Sequence, residues 1–275
     1  MPSDTLASAR AVVQHAMAAV AQAARHLAEG GVEPADGLEW LEDHHAMATP
    51  VLRGLSGVRV ALRPAELTLL LLGPDDAALK TRPLEGCTLE DAFEWLRAEL
   101  GELGADASVF EGPGPANLSP LPASLGGVLG CPDRKAFEEL ERWLGNADHV
   151  LRTIARTSQH ASAVRCPPDR LELRTALSHR TREGEAARLV VVGASLGDAE
   201  RPQPFFFVTA RPAETVPDPR DLPWEPYDGG SRAILPADEI VAHRAAEEQA
   251  ARVDAFLRRA VPAAHALLHR EWQRR

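Results

Sequence analysis

The 275-residue sequence predicts an α+β protein with mixed or antiparallel sheets covered by helices. Three observations carry that prediction. Period-two alternation places Leu171, Leu173, Thr175 and Leu177 on one face of a strand. Two short apolar runs, Leu189–Val192 and Phe205–Val208, read as further, more deeply buried strands. Longer segments on either side of them carry apolar residues at helical spacing.

Taken in order, residues 5–28 place Leu6, Val12, Val13, Met17, Val20 and Leu27 among alanines, a helix that Gly30-Gly31 would stop. A second, short helix is expected to start near Asp36 and to cover Leu38 to Met47, carrying Trp40, His44 and His45. Val58–Leu62 alternates, Arg63-Pro64 turns, and Leu67–Leu72 is apolar, which reads as a hairpin with a buried second strand. Thr88 is a suitable N-cap with Asp91 close behind it, and Leu89, Phe93, Leu96, Leu100 and Leu103 follow at helical spacing. Gly104 closes that helix, Ser108–Phe110 reads as a strand, and Gly112–Leu129 is a connecting loop rich in Gly, Pro and Ser.

Beyond Pro132, Asp133 is expected to cap a long helix containing Phe137, Leu140, Leu144, Val150, Leu151 and Ile154, which Gly145-Asn146 would bend or split. The three strands named first come next. Five prolines between Pro212 and Pro226 argue against any regular element there, with Trp224 and Tyr227 as anchors onto the sheet. Ala233–Leu235 adds a short strand. Asp238 is then expected to cap a terminal helix, kinked at Pro262, whose apolar face holds Val253, Phe256, Leu257, Val261, Leu267, Leu268 and Trp272. This order suggests two related α+β halves, 1–130 and 131–275, or one continuous domain. A single mixed sheet drawn from both halves would remove exposed edges.

Composition narrows the function classes. A net charge of -10 argues against a nucleic-acid partner, because phosphate binding needs a concentrated basic surface. Cys87, Cys131 and Cys166 are odd in number and widely spaced, which is neither a disulfide framework nor a Cys-x-x-Cys site. No uninterrupted apolar stretch marks a membrane span or a signal peptide, so a cytoplasmic location is expected. The excess of arginine over lysine, with abundant alanine and proline, suggests a GC-rich bacterial genome. Nothing specifies a cofactor, and a homo-oligomer is compatible with the apolar helices.

Candidates for chemistry are sparse. His44 and His45 are adjacent, so on a helix they point apart, unlike the i, i+4 pair that binds a metal. Cys166, in Arg165-Cys-Pro-Pro-Asp169, would need Arg165 or His160 beside it to become a nucleophile, and a buried cysteine at a strand entry is the plainer reading. Gly193-Ala-Ser-Leu-Gly197 has the wrong spacing for a dinucleotide fingerprint, and a tight turn whose donors Asp198 satisfies explains it. His265 and His269 share a helical face, but no acidic or cysteine pattern completes a metal site.

The tract Ser162-Ala-Val-Arg-Cys-Pro-Pro-Asp-Arg-Leu-Glu172, the turn Gly193–Asp198, Pro204–Val208 and Ala233–Pro236 together resemble a family of uncharacterised bacterial proteins. Its members carry a Cys-Trp-Pro-His-His-Phe-Asp tract. The likeness covers mainly the C-terminal half and implies a mixed α/β domain. This chain departs from the pattern: the family tryptophan falls at Pro167, its histidines at Asp169 and Arg170, and its aspartate at Glu172. An arginine stays protonated and cannot replace a neutral imidazole, so no catalytic role carries over through Arg170.

The expected function is therefore binding, of a small molecule or a protein partner, in a cleft at Cys166, Asp169, Glu172, Ser195, Asp198 and Trp224. The alternative is a metal-dependent or acid–base hydrolase using Asp169, Glu172, Asp198 and one of His44 or His45.

Overall fold

A computed structural model of the chain describes residues 3–28, 37–106, 121, 125, 127–167, 171–179, 188–198, 200–211, 222, 224–227 and 230–273. Among these the sequence periodicities resolve into five α-helices and two antiparallel sheets of five strands each, so the chain is α+β. Two antiparallel sheets replace the single mixed sheet considered above. Two compact units emerge, Met1–Asn146 with Arg165–Leu171, and Ala147–Val164 with Glu172–Arg275.

The first unit holds α1 (Ser3–Leu27), β1 (Glu39–Leu41), β2 (Ala46–Ala48), β3 (Arg59–Arg63), β4 (Thr68–Leu72), β5 (Ala78–Pro83), α2 (Leu89–Glu102) and the start of α3 (Arg134–Thr157). Its sheet follows sequence order because each strand turns back on the one before. One face carries Trp40, Met47, Val60, Leu62, Leu69 and Leu71, all buried, each large side chain contributing about 1.5–3 kcal/mol of burial. Helix α1 packs on β3 and on α2. The α2 start is a capping box: Thr88 Oγ1 accepts the Asp91 amide at 3.1 Å, and Asp91 Oδ2 accepts the Thr88 amide at 2.7 Å.

The expected helix over Leu38–Met47 is instead the hairpin β1–β2, closed by a single 3₁₀ turn at Glu42–His44. His45 takes φ 48°, a left-handed conformation that reverses the chain and brings Met47 opposite Trp40. A spacing of seven residues fits two helical turns as well as a cross-strand pair, and the turn decides for the strand. Strand β5 had no apolar signature because almost every side chain on it is exposed. It is an edge guarded by Lys80, Arg82, Pro83 and a bulge at Leu71/Leu72.

The second unit holds the end of α3, then β6 (Glu172–His179), β7 (Arg188–Ser195), β8 (Phe205–Arg211), β9 (Trp224–Tyr227), β10 (Gly230–Pro236), α4 (Ala237–Val241) and α5 (Ala246–Gln273). Helix α3 runs through Gly145-Asn146 without a break, and the boundary between units falls there. Sheet order is β6-β7-β8-β10-β9, since β10 returns beside β8 and β9 folds onto the outside of β10. Pro226 sits within β9, contrary to the expectation of no regular element, because an edge strand tolerates a missing donor. The terminal helix is two helices: Asp238 lies in the first turn of α4, and α5 begins at Ala246, with Pro262 inside it.

Leu173, Val190, Val192, Phe206, Val208, Ala233 and Leu235 share one fully buried sheet face. Arg188 on that face donates to Leu268 O at 3.5 Å, which identifies it as the face α5 covers. The outer edge of β6 is partly covered by Ala161 and Ser162, with Ser162 N donating to Ala176 O at 2.8 Å. The expected strand at Ser108–Phe110, the Gly30-Gly31 stop and the helix start at Asp36 lie outside the described residues.

Candidate functional site

Of the expected cleft residues, Glu172 and Ser195 are brought together as direct cross-strand partners, both buried. Asp198 follows three residues later and shapes the turn: its Oδ1 accepts the amides of Glu200 and Arg201 at 2.9 and 2.6 Å. Ser195 Oγ likewise accepts Gly197 N at 3.1 Å. Trp224 pairs with Ala233 and so lies on the opposite, α5-covered face of the same sheet. Cys166 belongs to the first unit, where its backbone extends the edge of β1 through Leu38 N→Cys166 O at 2.8 Å and Cys166 N→Leu38 O at 2.7 Å. Its thiol is buried and points to Pro167 O at 3.6 Å. Asp169 lies outside the described residues.

The second sheet's other face has a different chemistry. Strand alternation and register place Glu172, Ser195, Phe205, Phe207, Thr209, Arg211, Ile234, Arg232, Glu225 and Tyr227 on it. Phe205, Phe207 and Ile234 form its apolar centre. Gly193 makes room for that centre, since a Cβ there would stand 2.4 Å from the Phe207 ring. Toward the β9 edge the face becomes charged. Arg232, only 3% exposed, donates through Nε and Nη2 to Glu225 Oε1 at 2.9 and 2.7 Å. Its guanidinium also lies 3.9 Å from the centre of the Tyr227 ring, and Arg211 approaches the same ring at 5.5 Å. The Arg211 side chain runs against Gly230, where a Cβ would stand 3.1 Å from its Cγ. Arg201, carried on the β7–β8 turn that Asp198 organises, donates to Glu225 Oε2.

Three side-chain atoms of this cluster are buried without a hydrogen bond: Thr209 Oγ1, Arg201 Nη1 and Arg211 Nε. Thr209 is 2% exposed and stands directly across from Arg232 in the β8–β10 register. Buried polar atoms are bonded as a rule, so each of these marks a place that an outside group can complete. Sequence reasoning missed Arg201, Thr209, Arg211, Glu225 and Arg232. The available signal was Arg232 within the otherwise apolar Ala233-Ile-Leu235 strand segment and the chain's single tyrosine nearby.

The first unit contains the other groups singled out in the sequence. His45 Nδ1 lies 3.7 Å from Glu141 Oε1, and the imidazole meets the Trp40 ring edge-on at 6.5 Å. Burial raises the Glu141 carboxyl above the ordinary glutamate value, opposed by the Ala65 amide that Oε2 accepts at 3.0 Å and by His45. His44 contributes its backbone carbonyl to Arg63 Nε at 3.1 Å. A cavity of about 390 Å³ opens between the starts of α1 and α3, lined by Asp4, Thr5, Ser8, Asp133 and Phe137 among others. Asp133 already serves the α3 terminus by accepting Lys135 N at 3.1 Å.

Fold and site together define an α+β protein whose second sheet carries an incompletely bonded arginine cluster on its face away from α5. No family model matches the chain, and no curated protein or solved structure is significantly similar to it. No described helix is long and apolar enough to cross a membrane.

Proposed function

We propose that this chain is a binding protein that holds a small molecule at the arginine-bearing face of its second sheet. One observation carries the reading: Arg201 and Arg232 share one carboxylate, Glu225, beside the Tyr227 ring, while the Thr209 hydroxyl and Arg201 Nη1 are buried without a hydrogen bond. Aromatic and apolar walls with a few convergent polar groups are the usual make-up of small-molecule sites. The hydrolase alternative has no comparable observation behind it. The spacing of the three cysteines supports a reducing, cytoplasmic setting. Kinship with the bacterial family of the Cys-Trp-Pro-His-His-Phe-Asp tract belongs to the same proposal, supported by the Ser162–Cys166 and Phe205–Val208 residues.

The test is native mass spectrometry of the full chain after incubation with a small-molecule cell extract. The expected result is a discrete adduct on the wild type, weakened by Arg201→Gln and retained by Arg165→Gln in the first unit. A spectrum with no adduct, or one equally strong in both variants, removes the assignment.

A further inference from the structure

Thr209 stands on the second sheet's arginine-bearing face, 2% exposed, and its hydroxyl has no hydrogen bond. The register fixes its neighbours there. Phe207 precedes it and Arg211 follows it on the same face of β8, Val191 lies across on β7 and Arg232 across on β10. Phe207 and Val191 belong to the apolar centre that Phe205 and Ile234 complete, and the two phenylalanine rings lie 6.1 Å apart. The three guanidiniums nearby are already engaged. Arg232 donates twice to Glu225 Oε1 and stacks over the Tyr227 ring, Arg211 stands over the same ring, and Arg201 has Glu225 on Nη2 with Glu200 Oε2 3.6 Å from Nη1. What remains open at Thr209 is one hydrogen bond to a neutral hydroxyl, which donates or accepts and so selects no charge. An ionic group brought to this buried position would lose its water without gaining a free counter-charge. An aromatic ring would gain contact from the phenylalanines instead.

Resting on the small-molecule reading above, we infer that the ligand is an uncharged aromatic that carries a hydroxyl or carbonyl group. Its ring lies against Phe205 and Phe207, and its oxygen supplies the partner that the Thr209 hydroxyl lacks. Thr209 thus determines specificity, separating a ring that bears an oxygen from a plain one.

The experiment titrates the full chain with phenol, with toluene and with benzoate, followed by two-dimensional NMR of the backbone amides. Saturable shifts in β8 and β10 are expected for phenol, with a Kd about fivefold below that of toluene, the worth of one neutral hydrogen bond. Benzoate should bind more weakly than phenol. Thr209→Val should bring phenol and toluene to the same Kd without weakening toluene. Equal binding of phenol and toluene by the wild type, a phenol preference that survives Thr209→Val, or benzoate binding as tightly as phenol overturns the inference. If Thr209→Val does not fold, the wild-type ratio of phenol to toluene decides the matter. Failure of phenol and toluene to bind while the Arg201-dependent adduct persists in native mass spectra sinks the aromatic ligand and spares the binding reading. Failure of both experiments sinks both.

Discussion

In the first unit Arg59 engages all three of its guanidinium nitrogens: Nε with Thr49 O at 2.8 Å, Nη1 with Asp76 at 3.3 Å, and Nη2 with Glu39. Arg165 shares Glu39 at 3.0 Å, so two arginines meet two carboxylates. In the second unit one edge-strand carboxylate, Glu225, again bridges two arginines, Arg201 and Arg232, and a third arginine, Arg211, stands over Tyr227. The nearby threonines differ in the same sense. Thr49 Oγ1 accepts Val60 N at 3.1 Å, whereas Thr209 Oγ1 accepts and donates nothing. Burying charge and hydroxyl without partners costs stability. The Arg59 arrangement has every guanidinium nitrogen bonded, whereas the Arg232 arrangement sits beside the unbonded Thr209 hydroxyl.

The sharpest challenge to that comparison is to remove each central arginine. Arg59→Leu strips Thr49 O, Asp76 and Glu39 of a donor at once and should cost about 3 kcal/mol. Arg232→Leu should cost less, about 1–2 kcal/mol, because Glu225 keeps Arg201 as a partner. Peptide-resolved hydrogen exchange reads each unit separately, and the reverse order would mean that the second network is the closed one.

A matched pair of hydroxyl deletions tests the same contrast with smaller effects. Thr49→Val orphans the Val60 amide and should lower stability by about 1–2 kcal/mol. Thr209→Val removes a buried, unbonded hydroxyl and should leave stability unchanged or raise it by up to about 1 kcal/mol. Denaturation midpoints of the two variants moving in the same direction would erase the distinction.

The smallest effect concerns a carboxyl of the first unit, the desolvated Glu141. Its folded pKa is raised, so the fold favours the neutral acid; that contribution is fully present below the unfolded value and is lost as pH rises through the folded one. Glu141→Gln keeps an acceptor for Ala65 N and should make the variant slightly more stable than wild type near neutral pH, with the gap closing in acid. A gap that widens on acidification would show that Glu141 is held as the anion by His45 instead.

Where local chemistry suffices, the sequence was readable. The capping box at Thr88–Asp91, the hairpin β3–β4 and the apolar runs of β7 and β8 follow from neighbours a few residues apart. The misread stretch at Leu38–Met47 shows the limit, because Trp40 and Met47 satisfy two periodicities and only the left-handed turn at His45 separates them. Strand β5 was invisible for the opposite reason, having no buried face to impose a pattern. The second sheet's charged cluster was illegible for another reason: Arg211 and Arg232 come from β8 and β10, Arg201 from the β7–β8 turn and Glu225 from β9, separated along the chain.

What residue order determines here is the type of each element and the α+β class, since helix caps, alternation and apolar runs act over a few positions. What the tertiary arrangement alone decides is charge balance. Arg201, Glu225 and Arg232 stand apart in the chain, and only the β10–β9 register and the β7–β8 turn bring two cations to one anion. Electrostatic energy depends on distance through the folded protein, and separation along the sequence does not report that distance.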